Sequence, residues 1–251
     1  MKPISVQLYS LREAAAKDFI GVLKSVAAMG YVGVEPAGLY NLKPAEFLKI
    51  TSDLGLVVSS NHGPWPNRNN LKEVIDTTLA LKLKTTIGGY GPDDFKSLDA
   101  IKATADTINF LIDQLTPAGI TLALHNHYWE FDTLEGRIAY DILLDLCPRV
   151  KLELDIYWAA NFGACNPVEQ IRRLRDRTIL LHVKDGTLVR EVPHVAVGSG
   201  KLDIPACIAA ADPNRVEWLV VELDSCATDM QEAVAASYRY LTGQGLARGR
   251  I

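Results

Sequence analysis

The sequence predicts an α/β fold, a (β/α)8 TIM barrel formed by one domain over residues 1–251, and three observations carry that prediction. Short runs rich in β-branched residues alternate with longer segments whose apolar residues recur at three- and four-residue spacing, the signatures of buried strands and amphipathic helices. Several helical segments stop at a glycine just before the next strand. Eight such alternations, with no internal linker or low-complexity tract, fill about 250 residues, a length that suits one closed barrel. A doubly wound open sheet is the competing arrangement.

In chain order the strand candidates are "ISVQLYS" (4–10), "VGVEPA" (32–37), "LVVSSNH" (56–62), "TTIGGY" (85–90), "TLALHNH" (121–127), "KLELDIYW" (151–158), "ILLHVKD" (179–185) and "WLVVELD" (218–224). The first helical segment, "FIGVLKSVAAM" (19–29), sets Phe19, Val22, Leu23 and Val26 on one face. It is followed by "PAEFLKITSDL", "LKEVIDTTLAL", "AIKATADTINFLIDQL", "VEQIRRLR" and "MQEAVAASYRYL". Gly30, Gly55 and Gly119 stand where glycine closes a helix in a left-handed conformation that other residues reach only with strain. Longer connections, "GPWPNRNN", "YWEFDTLEGR" and "GTLVREVPHVAVGSGKLD", follow the third, fifth and seventh strands. All three run from strand to helix, so in a barrel they lie on the catalytic face.

Composition narrows the function classes. The chain is 48% hydrophobic and 22% charged, with 26 basic against 30 acidic residues and a net charge of −4. That balance speaks against nucleic acid or an anionic membrane as partner. Cys147, Cys165, Cys207 and Cys226 are widely spaced and form no CxxC pair, as expected of reduced, buried thiols. The amino terminus runs straight into strand-like sequence, and no apolar run reaches the roughly 18 residues that span a bilayer. A cytoplasmic protein is expected.

The polar residues cluster at the ends of strands. Side chains there meet over one site at the C-terminal face of a barrel. His62 ends the third strand, His125 and His127 the fifth, and His182 the seventh, leaving only His194 in a loop. Glu35 ends the second strand, while Glu153/Asp155 and Glu222/Asp224 each stand two apart, on one face of their strands. Taken singly, each has a plain alternative as a hydrogen-bonded structural residue or a helix cap. Together, imidazole and carboxylate are the ligand set of Mn, Co, Zn or Mg.

The blocks "ISVQLYSLRE", "GYVGVE", "LALHNHYWEF", "LELDIYWAANFGACNP", "HVKDG" and "VGSGKLDIPA" resemble the sugar-phosphate isomerase/epimerase family of xylose-isomerase-like barrels, from Ile4 to about Leu241. The resemblance implies one divalent metal ion (Mn, Co, Mg or Zn) held from strands five to eight. Carried over by motif, its ligands are His125, Asp155, His182 and Glu222. His125 departs from the family pattern, which reads E-N-H where this chain reads H-N-H. The implied activity is metal-dependent sugar isomerisation or epimerisation: a proton α to a carbonyl is abstracted through an enediolate that the ion stabilises. In that reading Glu222 also serves as base, Lys184 stabilises an oxyanion, and His127 or Glu130 is the second proton-transfer group. Glu35, His62, Glu153 and Trp158 would bind the sugar, with Trp65 and Trp129 either joining them or packing the loops. The missing strand-five glutamate tilts the expectation toward keto-sugars, keto-glycosides or keto-inositols, on which a single base suffices for a lyase or dehydratase. "VGSGKLD" could bind an anion at a helix start, but Asp203 is expected to cap that helix. An apurinic-endonuclease-like nuclease and a non-catalytic sugar-binding barrel are the more distant rivals, and self-association into a homo-oligomer stays open.

Overall fold

The structure, a computed structural model, describes residues 1–250. Its barrel strands are β1 (Lys2–Gln7), β2 (Gly33–Glu35), β3 (Val57–Val58), β4 (Thr85–Gly88), β5 (Thr121–His125), β6 (Lys151–Asp155), β7 (Thr178–Val183) and β8 (Trp218–Val221). The helices that follow them are α1 (Arg12–Met29), α2 (Pro44–Asp53), α3 (Leu71–Ala80), α4 (Leu98–Leu115), α5 (Ala139–Leu146), α6 (Pro167–Leu174), α7 (Ile204–Ala210) and α8 (Met230–Gly243). The sheet runs in the order β3-β2-β1-β8-β7-β6-β5-β4, every pair parallel. The first strand thus lies beside the last, which a doubly wound sheet does not allow. Between β3 and β4 the circle is joined by one backbone bond, from the Ile87 N–H to the Asn61 carbonyl at 3.3 Å.

The helices form where the apolar spacing requires. On α1 the expected face, Phe19, Val22, Leu23 and Val26, is buried against the barrel. Gly30 ends α1 at φ +100°, and Gly119 precedes β5 at φ +72°. One helix escapes the periodicity reading. The eight residues of α5 bury Ala139, Tyr140, Leu143 and Leu144, but the segment is short and follows a long connection. That connection folds into a small antiparallel hairpin, Thr133–Leu134 against Arg137–Ile138. A further short strand, Ala247–Arg248, pairs with the start of β1.

β2 and β3 are much shorter than their strand-like sequences. Past the ladder, "SSNH" continues over the barrel mouth, where Ser60 and Asn61 are buried and His62 reaches the center. The unpaired strand ends therefore serve the site.

Candidate active site at the barrel mouth

Strand register assembles the site. His125 on β5 lies opposite Glu153 on β6, and Asp155 on β6 lies opposite His182 on β7. His182 in turn lies opposite Val220 on β8, two residues before Glu222 and therefore on the same face. On the other side, Gln7 of β1 lies opposite Glu35 of β2. Parallel strands in this register turn all these side chains into one barrel interior.

The result is a buried ring of imidazoles and carboxylates. His125, Asp155, His182 and Glu222 each offer a ligand atom within 4.8 Å of the others. His62, His125, Glu153 and His182 form a second set with the same property, sharing two members with the first. His182 is the hub: its Nδ1 lies 3.0 Å from Glu222 Oε2, and its Nε2 lies 3.0 Å from Glu35 Oε1 and 3.2 Å from Glu153 Oε2. Asp155 has two different oxygens. Its Oδ1 accepts the Tyr157 and Trp158 backbone N–H groups at 2.9 and 2.8 Å, while its Oδ2 faces the Lys184 ammonium at 3.1 Å. His125 Nδ1 and Glu153 Oε1 have no hydrogen-bonding partner among the described residues, while Glu153 Oε2 faces the His62 and His182 rings at 3.2 Å each.

Such atoms are costly to bury. Glu35, Glu153, Asp155 and Glu222 are all buried, so they give up hydration and repel one another. A divalent cation accepts exactly this donor set of imidazole nitrogen and carboxylate oxygen, so the residues fit one. Lys184 supplies the positive charge the protein itself brings. Its fully buried Nζ lies 3.1 Å from Asp155 Oδ2, 2.9 Å from Glu222 Oε2 and 2.7 Å from Asp224 Oδ2.

Charge states follow from these neighbors. Burial opposes charge on Lys184, but Asp155, Asp224 and Glu222 more than offset it and hold the ammonium well above its ordinary value. Burial likewise opposes the Glu222 carboxylate, and Lys184 and His182 reverse the effect, holding it well below the usual range. His125 is driven well below the ordinary imidazole value by burial and by the nearby His182 and His62. It therefore stands neutral, the form that ligates a metal. Burial and Lys184 lower His127 to about 4.

The sequence-based assignments divide on this geometry. Glu35, His62 and Glu153, expected in the sugar pocket, lie inside the ring itself. His62, Trp65, His125, His127, Glu222 and Asp224 are among the walls of a cavity of about 300 Å³ above it. Glu130 is a correction. Its buried carboxylate accepts the His127 backbone N–H at 2.9 Å, so it holds the loop, and it belongs to neither ligand set nor the cavity wall. Trp129 is a packing anchor, stacked on His127 at 4.3 Å with its indole N–H donated to the Tyr90 carbonyl. His194 corrects the sequence reading in the other direction. Although it comes from a loop, its ring reaches the mouth, 5.2 Å from Trp158, and its Nδ1 accepts the Asp224 N–H.

Three further residues carry the site without having been singled out for it. Asn126 clamps β6, its Oδ1 accepting the Asp155 N–H and its Nδ2 donating to the Asp155 carbonyl. Ser60 donates to the Glu35 carboxylate. Asp185 accepts the backbone N–H groups of Gly186, Gly198, Gly200 and Leu202 at 2.8–3.2 Å. The glycine-rich loop is thus wrapped around a carboxylate of its own chain, and a Cβ on Gly200 would stand 2.1 Å from Asp185 Oδ1. Those N–H groups are committed, which disfavors an anion site there. Asp203 caps α7 as expected, accepting the Ala206 N–H at 3.0 Å.

Fold and mouth together define a (β/α)8 barrel whose polar residues gather at the C-terminal strand ends, where barrels of this kind build their sites. More particularly, the chain belongs to the xylose isomerase-like TIM barrels, whose family model matches residues 23–242. No curated protein matches the sequence. Among solved structures it is similar to a sugar phosphate isomerase/epimerase from Parabacteroides distasonis, with 23% identity, a TM-score of 0.83, and coverage of 98% of this chain and 96% of that one. It is also similar to an L-ribulose 3-epimerase, with 18% identity, a TM-score of 0.76, and coverage of 98% and 95%. A third is the probable 3-DHS dehydratase AsbF from Bacillus anthracis, with 14% identity, a TM-score of 0.74, and coverage of 96% and 98%. At these identities the likeness is one of fold. No helix among the described residues is long and apolar enough to cross a membrane.

Proposed function

We propose that the chain is a divalent-metal-dependent sugar isomerase or epimerase that abstracts a proton α to a carbonyl. The observation that carries this reading is the convergence of His125, Asp155, His182 and Glu222 within 4.8 Å, with His125 Nδ1 lacking a hydrogen-bonding partner among the described residues. These residues would hold the ion, which when bound supplies Lewis-acid stabilization of charge developing on a carbonyl oxygen. Glu222 borders the cavity and is ionized at neutral pH, so it is the base that takes the proton. Lys184, expected to steady an oxyanion, commits its ammonium to Asp155, Glu222 and Asp224, and its role in this reading is to keep Glu222 ionized. His127, neutral and with its Nδ1 unpartnered, lines the same cavity and serves as the second proton-transfer group in place of Glu130.

A second reading, a lyase or dehydratase on keto-sugars, keto-glycosides or keto-inositols, is favored by one feature. Strand five contributes His125 rather than a glutamate, and the Glu130 carboxylate accepts a backbone N–H, so Glu222 is the one glutamate lining the cavity among the described residues. One base suffices for elimination beside a ketone.

Substrate-dependent deuterium wash-in from D2O over a panel of keto-sugars tests both readings, because each begins with the same proton abstraction. Exchange should require added divalent metal and fall by about 10³-fold or more in Glu222→Gln while the protein stays folded. Exchange that survives chelation, or that survives the substitution, contradicts the proposal.

A further inference from the structure

A second cavity, of about 260 Å³, adjoins the first, and Asp224 lines both. Its walls differ sharply from the acid–imidazole ring. Trp158 stands at the center, 5.8 Å from the Tyr128 ring, 5.8 Å from Phe162, 5.2 Å from Tyr157 and 5.2 Å from His194. Arg190 spreads its guanidinium over Tyr128 and Phe162, at 4.7 and 4.5 Å from their ring centers.

Two loops strain to build this chamber. After β6, Asn161 and Phe162 adopt φ of +40° and +53°, and after β7, Leu188 and Glu191 adopt +58° and +62°. Side-chain-bearing residues rarely occupy this region, and clusters of them mark ligand clamps. The strained turns carry Phe162 into the wall and set Glu191 on it. The Leu188 N–H meets the Tyr157 hydroxyl at 3.2 Å, tying the two loops together. The buried indole N–H of Trp158, the ring at the center of the chamber, has no acceptor among the described residues.

These features select a ligand class. Aromatic faces stack on the C–H face of a sugar ring or on a planar ring, and an indole N–H serves a hydroxyl or ether oxygen. A phosphate is poorly served, since the cation present is laid on two aromatic faces while Asp224 and Glu191 add negative charge. We infer that the aromatic chamber receives a second ring linked to the reacting sugar, so that the substrate is a glycoside and not a free monosaccharide or a sugar phosphate. The inference rests on the proposed function for the placement of the reacting sugar in the first cavity.

The test is equilibrium binding to the full chain, by calorimetry and tryptophan fluorescence, of four probes: phenyl β-glucoside, cellobiose, glucose and glucose 6-phosphate. At least one of the two-ring probes should bind about tenfold or more tightly than glucose, the worth of one well-stacked ring, with glucose 6-phosphate no tighter than glucose. Which of the two binds more tightly distinguishes an aryl from a glycosyl second ring. Phe162→Ala, and independently the exposed Arg190→Ala, should reduce the two-ring advantage about threefold or more. Equal affinities for all four probes, or tightest binding of the phosphate, overturn the inference. Proton exchange on keto-sugars without a two-ring preference overturns this inference alone, whereas a two-ring preference without exchange overturns the isomerase reading and supports the chamber.

Discussion

The two halves of the barrel hold the ring of ligands in different ways. From β4 to β8 each neighboring pair of strands is registered over three or four residues, and His125, Asp155, His182 and Lys184 stand on those strands or directly after them. In the half from β1 to β4, β2 and β3 share only the pairs Gly33↔Val57 and Val34↔Val58, and β3 meets β4 through the single Ile87–Asn61 bond. That looser half supplies Gln7, Glu35 and His62, and its loop carries Trp65, which is 37% exposed on the cavity wall. The comparison teaches a division of labor. The proposed ligand atoms sit on or directly after closely paired strands, where the ladder holds their geometry. His62 and Trp65, which also line the cavity, sit beside the seam.

Breaking the firm half should have the largest effect. Asp185→Ala leaves the backbone N–H groups of Gly186, Gly198, Gly200 and Leu202 without their acceptor and should destabilize the fold by about 3 kcal/mol in urea denaturation. An unchanged midpoint would show that the glycine-rich loop is not held by this carboxylate.

Acid should weaken the same half next. Burial and Lys184 lower His194 to about 4 in the folded chain, against about 6.5 when unfolded. The folded state then binds fewer protons than the unfolded one in that window. Stability is therefore complete above about pH 6.5 and is lost as pH falls toward 4, by at most about 3 kcal/mol. The Asp224 N–H donated to His194 Nδ1 requires the unprotonated ring, which agrees with that direction. His194→Gln should flatten the pH dependence of Tm between 6.5 and 4, and an unaltered slope would assign the acid sensitivity elsewhere.

The smallest effect sharpens the contrast without mutation. In native-state hydrogen exchange, the Ile87 amide at the seam should exchange about tenfold or more faster than the Leu154 and His182 amides at the β6–β7 ladder. Equal protection would mean that the seam is as firm as the rest.

Much of this was legible in the sequence. Alternating strand and helix periods in a chain of this length specified the closed barrel, and histidines and carboxylates at strand ends located the mouth. The candidate ligands came from the resemblance of the motifs, while the rule that strand residues two apart share a face placed His125/His127 and Glu153/Asp155 toward one interior. What escaped depends on contacts far apart in the chain. Glu35 joins the ring only because β1 packs beside β8, bringing it within 3.0 Å of His182, and no local pattern reports that. His194 reaches the mouth through an isolated bridge between its loop and Cys226. Glu130 misled because a glutamate three residues after His127 is also well placed to accept a backbone N–H.

Metal stoichiometry in purified protein and two variants tests the center of the account most directly. One divalent ion per chain should bind, with affinity falling about 100-fold or more in Asp155→Asn and by no more than about tenfold in His62→Gln, since Asp155 stands in the first ligand set and His62 only in the second. A chain that binds no ion, or that loses it with His62→Gln and keeps it with Asp155→Asn, would contradict the account.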